Sequence, residues 1–259
     1  MSQKSSNKDK LLMIQKKGKY NMLNIKLVII GHSDRVVNFD LIKKYKSKFF
    51  NFLDIERINH LPNPVKDDGY LDIVYSKTEI QRIMNDIEYD GLSIAIMNYG
   101  FNDNFYMHRV GTNKVCISIY GLESILSEKK ISIENFIIKN VYEIFIFNQL
   151  KILNDEDENE FLHSDTRGCL FDMNGDKRDI VYNTEKPIIC DECKGKINNK
   201  LIPKNFLEDI QGELLKIDKP FIKKIENFIS KYPLFSVLVT FFFSTLINLF
   251  SNWLWEMIK

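Results

Sequence analysis

The stretch Ile25-Lys-Leu-Val-Ile-Ile-Gly31 decides how the first half of this chain folds. Its aliphatic and β-branched residues run almost without interruption and end at a glycine, which is typical of a buried strand. Outward from this stretch, apolar runs with strand character alternate with segments of helical periodicity over the first 130 residues. Such alternation predicts an α/β fold in which a mixed sheet packs on helices.

The further elements follow from the same periodicity. We predict helices over Asn38–Phe52 and Thr78–Tyr89, and strands over Asp54–His60, Leu71–Tyr75, Leu92–Met97 and Lys114–Tyr120. The segment between the last two strands is rich in asparagine and aromatic residues and is expected to be a loop. The helix predicted over Ile131–Leu153 is apolar on most faces, so it should lie at the centre of the domain.

Length and charge limit the classes of function. A chain of 259 residues can form one sizeable domain with an appendage. Because 36 basic residues stand against 35 acidic ones, no basic field argues for nucleic acid as a partner. We divide the chain into a disordered basic N-terminus over 1–21, a domain over 22–200 with a zinc-binding segment over 161–198, a helical linker over 201–231 and a membrane helix over 232–255.

Three of the four cysteines and one histidine form the motif His163-x5-Cys169-x20-Cys190-x2-Cys193. Three cysteines and a histidine, two of the cysteines in a Cys-x-x-Cys knuckle, are the ligand set of a closed, four-coordinate structural zinc site. We therefore predict that these four side chains hold one structural zinc ion. For His163 the alternative is a solvent-facing histidine at a helix end, with Asp165 or water completing the ligand shell.

Residues Tyr232–Trp255 contain no charged residue and no histidine. A helix of this length spans about 36 Å, which is enough to cross a hydrocarbon core of about 30 Å. Lys223, Lys224 and Lys231 precede the span, and a single lysine follows it. By the positive-inside rule we predict a single-pass membrane protein whose N-terminal domain is cytoplasmic.

The span also carries a row of small and polar residues. Ser236, Thr240, Ser244 and Asn248 recur every four residues, and Asn252 continues the row. In lipid such a row favours close helix–helix packing, so we expect self-association or a membrane or protein partner. Chance placement of tolerated residues is the alternative. A helix lying flat on the membrane would carry lysine or arginine on its polar face, and this row has neither.

The order of elements and the cysteine spacing resemble those of archaemetzincin-like zincins over roughly residues 24–198. In that family a mixed sheet precedes a helix bearing His-Glu-x-x-His-x-x-Gly-x-x-His, and a second zinc site follows with a Cys, a nearby Met and a Cys-x-x-Cys. Here Cys169-Leu-Phe-Asp-Met173 is followed, after 16 residues, by Cys190-Asp-Glu-Cys193. The resemblance implies a zincin-like fold in which Val115–Tyr120 is the edge strand before the catalytic helix.

The helix that should be catalytic departs from this pattern. Its best match is Tyr142-Glu143-Ile144-Phe145-Ile146, where Tyr142 and Ile146 stand at the two histidine positions. Catalytic zinc needs three protein ligands and an open fourth position. We therefore interpret the domain as a pseudo-peptidase that keeps only its structural zinc. Glu143 is the remaining catalytic candidate, and the alternative for it is a helix residue at the surface or at a polar edge.

These observations lead to a membrane-anchored, cytoplasmic, zinc-binding pseudo-peptidase that acts as an interaction or sensor module. A peptide or partner would dock in the cleft between the edge strand and the long helix. The runs Gly168-Cys-Leu-Phe-Asp172, Lys177-Arg-Asp-Ile180 and Ile189-Cys-Asp-Glu-Cys193 also resemble a bacterial group of metzincin-like proteins. This resemblance implies a bacterial setting and a role in phage defence. Two alternatives stay open: a divergent zinc metallopeptidase with ligands from His32, His60 or His108 and Glu143 as base, and a membrane-disrupting effector acting through its C-terminal span.

Overall fold

The structure is a computed structural model, and it describes residues 22–65, 73–200, 202–203, 205–217 and 228–258. It divides into two units, Met1–Ile217 and Asp218–Lys259. The disorder predicted for residues 1–21, the first part of the strand predicted over Leu71–Tyr75, and residues 218–227 of the predicted linker lie outside the described residues.

The first unit contains a mixed sheet centred on the strand predicted from Ile25–Gly31. The strands are β1 (Leu23–Ile30), β2 (Phe50–Phe52), β3 (Glu56–Ile58), β4 (Val74–Tyr75), β5 (Leu92–Met97), β6 (Gly100–Phe101), β7 (Met107–Gly111) and β8 (Lys114–Ser118). Their order in the main sheet is β2-β1-β5-β8-β7, and β3 pairs with the second half of β1. All neighbours are parallel except β7, which runs antiparallel to β8, whereas β4 and β6 form a small sheet of their own.

Helices cover both faces of this sheet. They are α1 (Phe39–Lys44), α2 (Lys77–Asn85), α3 (Leu122–Glu128), α4 (Ile133–Leu150), α5 (Asp155–Phe161), α6 (Ile180–Glu185), α7 (Asp191–Asn198) and α8 (Phe206–Leu214). Leu27 and Ile29 of β1 belong to one apolar core, which they share with α1, α3 and α4. Val28 and Ile30 belong to a second core, on the other face, which they share with α2. Because β1 is buried on both faces, its residues are apolar almost throughout.

The central helix α4 is the one predicted over Ile131–Leu153. Ser132 caps its N-terminus by accepting a hydrogen bond from the backbone N–H of Asn135, and Lys151 ends it in a left-handed conformation. Nearly all of its side chains are buried, because α1, α3, α6 and α8 pack around it. The mixed α/β fold with a sheet on helices, predicted from the alternation of elements, is therefore confirmed.

The structure corrects three of the predicted elements. The helix predicted over Asn38–Phe52 ends at Lys44, because Phe50–Phe52 pairs with β1 as strand β2. The predicted loop before Lys114 contains β7, which forms a hairpin with β8. As a result β8 lies between β5 and β7, so the prediction that Val115–Tyr120 is an edge strand is wrong.

The second unit contains the C-terminal apolar helix α9 (Pro233–Ile258). Within it, the 23 residues Pro233–Trp255 form the single helix of the described residues that is long and apolar enough to cross a membrane. At a rise of 1.5 Å per residue this stretch is about 34 Å long, close to the thickness of a hydrocarbon core. The most apolar part of this stretch is not buried against the rest of the protein, and its large apolar side chains are exposed.

Candidate metal centre

His163, Cys169, Cys190 and Cys193 come together in the first unit. Each offers one ligand atom, and these four atoms lie within 4.8 Å of one another. Nε2 of His163 lies 3.1 Å from the sulfur of Cys193 and 3.4 Å from that of Cys190. Among the described residues, this is the group of histidine, cysteine and acidic side chains that could hold a metal ion.

Two short backbone pairings bring these side chains together. His163 follows α5 and forms a parallel bridge with Asp172, while Cys169 forms one with Ile188. The hydrogen bond from the N–H of Leu170 to the carbonyl of Ile188, at 2.7 Å, holds the second pairing. These pairings place His163 and Cys169 on neighbouring backbone segments, next to the segment that leads into Cys190.

The remaining two ligands come from the start of a helix. Cys190 is the N-cap of α7, and Cys193 lies in its first turn, so the two sulfurs of the Cys-x-x-Cys motif face the same point. The backbone N–H of Cys190 also donates to the sulfur of Cys169 at 3.4 Å. Gly168, with φ +72°, provides the left-handed turn that precedes Cys169, a conformation that residues with a side chain rarely adopt.

Two of the separations between ligand atoms can be compared with those of a tetrahedral site. With metal–sulfur bonds of about 2.3 Å and metal–nitrogen bonds of about 2.0–2.1 Å, tetrahedral ligand atoms lie about 3.5–3.8 Å apart. The observed separations of 3.1 and 3.4 Å between Nε2 of His163 and the two sulfurs are close to this range. Three of the four residues are buried and Cys190 is half-buried. Four side-chain ligands leave no open coordination position, as in structural sites.

The cysteines of the cluster influence one another's pKa. A hydrogen bond from the Cys193 thiol lowers the pKa of Cys169 to about 6. The same bond raises the pKa of Cys193. The two sulfurs share one thiol proton in that hydrogen bond, because two thiolates side by side would repel each other. A metal cation bound there would take the place of that proton.

Asp172 is a site residue that the sequence analysis did not identify. Its Oδ1 lies 2.9 Å from Nδ1 of His163, on the side of the ring away from the sulfurs. Its Oδ2 accepts hydrogen bonds from the backbone N–H groups of Arg167 and Cys169, both at 2.9 Å. The carboxylate is fully buried and ties one ligand to the backbone of another. The sequence offered one signal, an aspartate three residues after a ligand cysteine.

The structure overturns the alternative reading of His163. The histidine is buried rather than facing solvent at a helix end. Asp165, the alternative ligand, is exposed and pairs instead with Nε of Arg167 at 2.6 Å. The role of the four residues as metal ligands stays a prediction, but the folded chain places all four where that role requires them.

Glu143 is not a surface residue, and that reading was wrong. It is buried on α4 beside Lys139, whose Nζ lies 3.6 Å from its carboxylate. Nζ of Lys139 also lies over the rings of Tyr106 and Phe136, at 5.6 and 5.7 Å from their centroids. Burial raises the pKa of Glu143 to about 8. Burial also lowers the pKa of Lys139. Since both side chains are enclosed, Glu143 faces no open cleft.

Tyr142, at the first histidine position of the family motif, is part of a closed hydrogen-bond network. Its hydroxyl donates to Glu213 of α8 at 2.7 Å. The same buried carboxylate accepts hydrogen bonds from the hydroxyl of Ser47 at 2.6 Å and the N–H of Lys48 at 2.9 Å. Ile146, at the second position, is part of the apolar core. This part of α4 therefore lies in the packed interior, and a hydrogen bond from Tyr142 to Glu213 connects it to α8.

The three histidines considered as alternative catalytic ligands lie outside the metal cluster. His32 and His60 are exposed. His108 is half-buried in β7, with Nε2 at 2.8 Å from Asp103 and its ring edge-on to Phe101. Nothing in the described residues joins these histidines to Glu143.

The carboxyl ends of β1 and β5 are where a doubly wound sheet commonly binds ligands, because the connections leave to opposite faces there. Here this point is filled by the chain itself. Oγ of the buried Ser33 lies 2.8 Å from the carbonyl oxygen of Ile30 and 3.0 Å from that of Ile96. A Cβ added at Gly31 would lie 2.7 Å from the ring of Tyr99. The cleft between the two strands is therefore closed.

Comparison with known proteins adds no relative. Neither models of protein families, nor curated proteins, nor solved structures give a match to this chain.

Proposed function

We propose that this protein is a membrane-anchored, zinc-binding pseudo-peptidase that acts as an interaction or sensor module on the cytoplasmic side of a membrane. The observation that carries the proposal is the contrast between two places in one domain. The four-residue cluster can close around a metal ion, whereas Glu143 is buried beside Lys139. The domain is built to bind metal for stability and not to expose a metal-bound water to a substrate.

Zinc is the metal that suits this donor set best. Three thiolates and one imidazole in a tetrahedral arrangement favour zinc over hard cations such as calcium and magnesium, which prefer oxygen. The carboxylate of Asp172 beside Nδ1 of His163 leaves Nε2 to face the metal. Zinc bound here would stabilise a segment whose helices are short, because the free energy of metal binding adds to that of folding.

Helix α9 is the proposed membrane anchor. Its apolar side chains, among them Phe241 and Trp255, are largely exposed from Leu234 to Trp255. An apolar surface of this extent is unfavourable in water and favourable in lipid. The excess of lysine before the span supports an orientation with the N-terminal unit in the cytoplasm.

A peptide partner would use a different strand from the one predicted. Because β8 is internal, strand addition on this side of the sheet falls to β7. The N–H of Ser118 donates to the carbonyl of Tyr106, so the hydrogen-bonded pairs alternate and the backbone groups of Met107 and Arg109 point away from β8. This edge is short, and Glu158 pairs there with the side chain of Arg109, its carboxylate lying 2.7 Å from Nε.

The test combines metal analysis with a peptidase assay on the full-length protein in detergent. We expect one zinc ion per chain, none in Cys193→Ser, and one in the control Cys116→Ala, since Cys116 is the cysteine outside the cluster. An unbiased peptide library should remain uncut by the zinc-loaded protein. A second zinc ion, or zinc-dependent cleavage that Glu143→Gln abolishes, would show instead a divergent metallopeptidase.

A further inference from the structure

The polar side chains of α9 gather on one face of its C-terminal half. At 100° per residue, Ser244, Thr245, Asn248, Ser251 and Asn252 lie within an arc of about 120° centred on Asn248. We call these five residues the amide face. Phe242, Phe243, Phe250 and Trp253 lie outside this arc, whereas Phe241 and Trp255, seven residues before and after Asn248, lie within it; all six are exposed. The arrangement includes Thr245 and Ser251, which do not belong to the four-residue repeat.

Among the described residues of α9, the hydroxyls of Ser236, Thr240 and Thr245 bond to the backbone of the helix itself, whereas those of Ser244 and Ser251 do not. Oγ1 of Thr245 donates to the carbonyl of Phe241 at 3.0 Å, and Ser236 and Thr240 bond in the same way to carbonyls one turn earlier. The carboxamides of Asn248 and Asn252 have no hydrogen bond within the part of the helix that the structure describes. Each carries two donors and one acceptor.

Asn248 lies deep in the proposed membrane span, where a carboxamide needs a hydrogen-bond partner most. The span Pro233–Trp255 has its midpoint at residue 244, so Asn248 lies about 6 Å from the centre of the helix along its axis. The hydrocarbon core extends about 15 Å to either side of its own centre. A carboxamide at that depth has no water to bond, and leaving it without a partner is costly.

We infer that the amide face binds the same face of a second copy of this chain, with the two helices parallel. This inference rests on the proposed function, in which α9 spans the membrane. Copies inserted in the same orientation carry Asn248 at the same depth. A carboxamide both donates and accepts, so two of them across a twofold axis satisfy each other. Ser244 and Ser251, about one turn away on either side, are small enough for the helices to approach closely.

The experiment measures association of the full-length protein in phosphatidylcholine liposomes. Copies labelled with a donor or an acceptor dye are mixed, and energy transfer is followed as lipid dilutes the protein. Asn248→Leu should weaken association by about 3- to 20-fold, the range for interhelical hydrogen bonds in lipid. Asn248→Gln should restore much of the association. Phe250→Leu, on the opposite face, should leave it unchanged.

Any of three outcomes of the energy-transfer measurement would overturn the inference: no energy transfer in the wild type, equal transfer in the wild type and Asn248→Leu, or an equal loss in Phe250→Leu. Extraction with alkaline carbonate is measured in parallel. If α9 resists extraction but the copies do not associate, the pairing inference is wrong while the membrane part of the proposed function stands. If α9 is extracted, the membrane part of the proposed function fails with it. Dye leakage from the liposomes that Asn248→Leu abolishes would point to a polar pore instead of a pair.

Discussion

Nδ1 of His163 lies 2.9 Å from Oδ1 of Asp172, and the opposite edge of the same ring faces the sulfurs of Cys190 and Cys193. The second oxygen of this carboxylate accepts the backbone N–H of Cys169. One buried side chain thus orients the nitrogen ligand and supports the loop that carries a sulfur ligand. Carboxylates placed behind metal-binding histidines in this way fix the ring tautomer and raise the affinity for the metal.

The first prediction concerns Asp172. In Asp172→Asn the side-chain oxygen can still accept the backbone N–H groups of Arg167 and Cys169. The amide nitrogen then takes the place of Oδ1 beside Nδ1 of His163, so the carboxylate oxygen facing the ring is lost. We expect zinc affinity to fall by about 10- to 100-fold, as for other outer carboxylates of metal sites. Competition with a chromophoric chelator measures the change. Asp165→Asn, an exposed aspartate of the same segment, should bind zinc like the wild type. An equal loss of zinc affinity in both variants would show that the effect comes from the removal of a negative charge and not from the position of Asp172.

The second prediction concerns the buried pair Lys139–Glu143. Glu143→Leu leaves a buried lysine without its partner, and we expect a loss of about 3–5 kcal/mol in the free energy of unfolding. Lys139→Met should also destabilise the protein, because it leaves the buried Glu143 without its partner. The double variant should recover to near the wild type or above it. Urea denaturation of the zinc-loaded protein in detergent completes the cycle, and additive single effects would contradict the pairing.

The third prediction is the sign of a pH dependence. Burial raises the pKa of Glu143 to about 8, above its ordinary 4.5. The stability that its protonated form contributes is complete below 4.5 and is lost as the pH rises through the folded-state pKa. We expect Lys139→Met to lose stability from about pH 5 to 8 relative to Lys139→Met/Glu143→Gln, since neither variant has the competing lysine. A constant difference between their unfolding free energies would show that Glu143 does not titrate there.

The fourth prediction concerns the junction between α4 and α8. Tyr142→Phe removes the hydroxyl that donates to the buried carboxylate of Glu213. We expect a loss of about 1.5–3 kcal/mol, the range for a hydrogen bond to a charged group. Tyr45→Phe removes a hydroxyl whose partner is the neutral hydroxyl of Tyr142, at 3.1 Å, and should cost about 0.5–1.5 kcal/mol. Thermal and urea denaturation measure both, and equal losses would show that Tyr142 does not hold α8 through the charge.

Particular residues show why some elements could be predicted and others could not. Strand β1 and helix α4 have continuous local patterns, so their positions follow from periodicity alone. Strand β7, Met-His-Arg-Val-Gly, mixes residue types and becomes a strand through its pairing with β8. The pairing of Phe50–Phe52 with β1 likewise ends a predicted helix early. Lys139 and Glu143 stand four residues apart on one helix, a signal that was present in the sequence.

The sequence by itself determined the cysteine and histidine set that could hold a metal, the α/β alternation and the apolar C-terminal helix. These depend on residue type and short-range spacing. Only the tertiary structure decided that Asp172 backs His163, that β8 is internal, and that Glu143 is enclosed with Lys139. These relationships depend on which distant segments pack together, and burial, not spacing, sets the charge and accessibility of such groups.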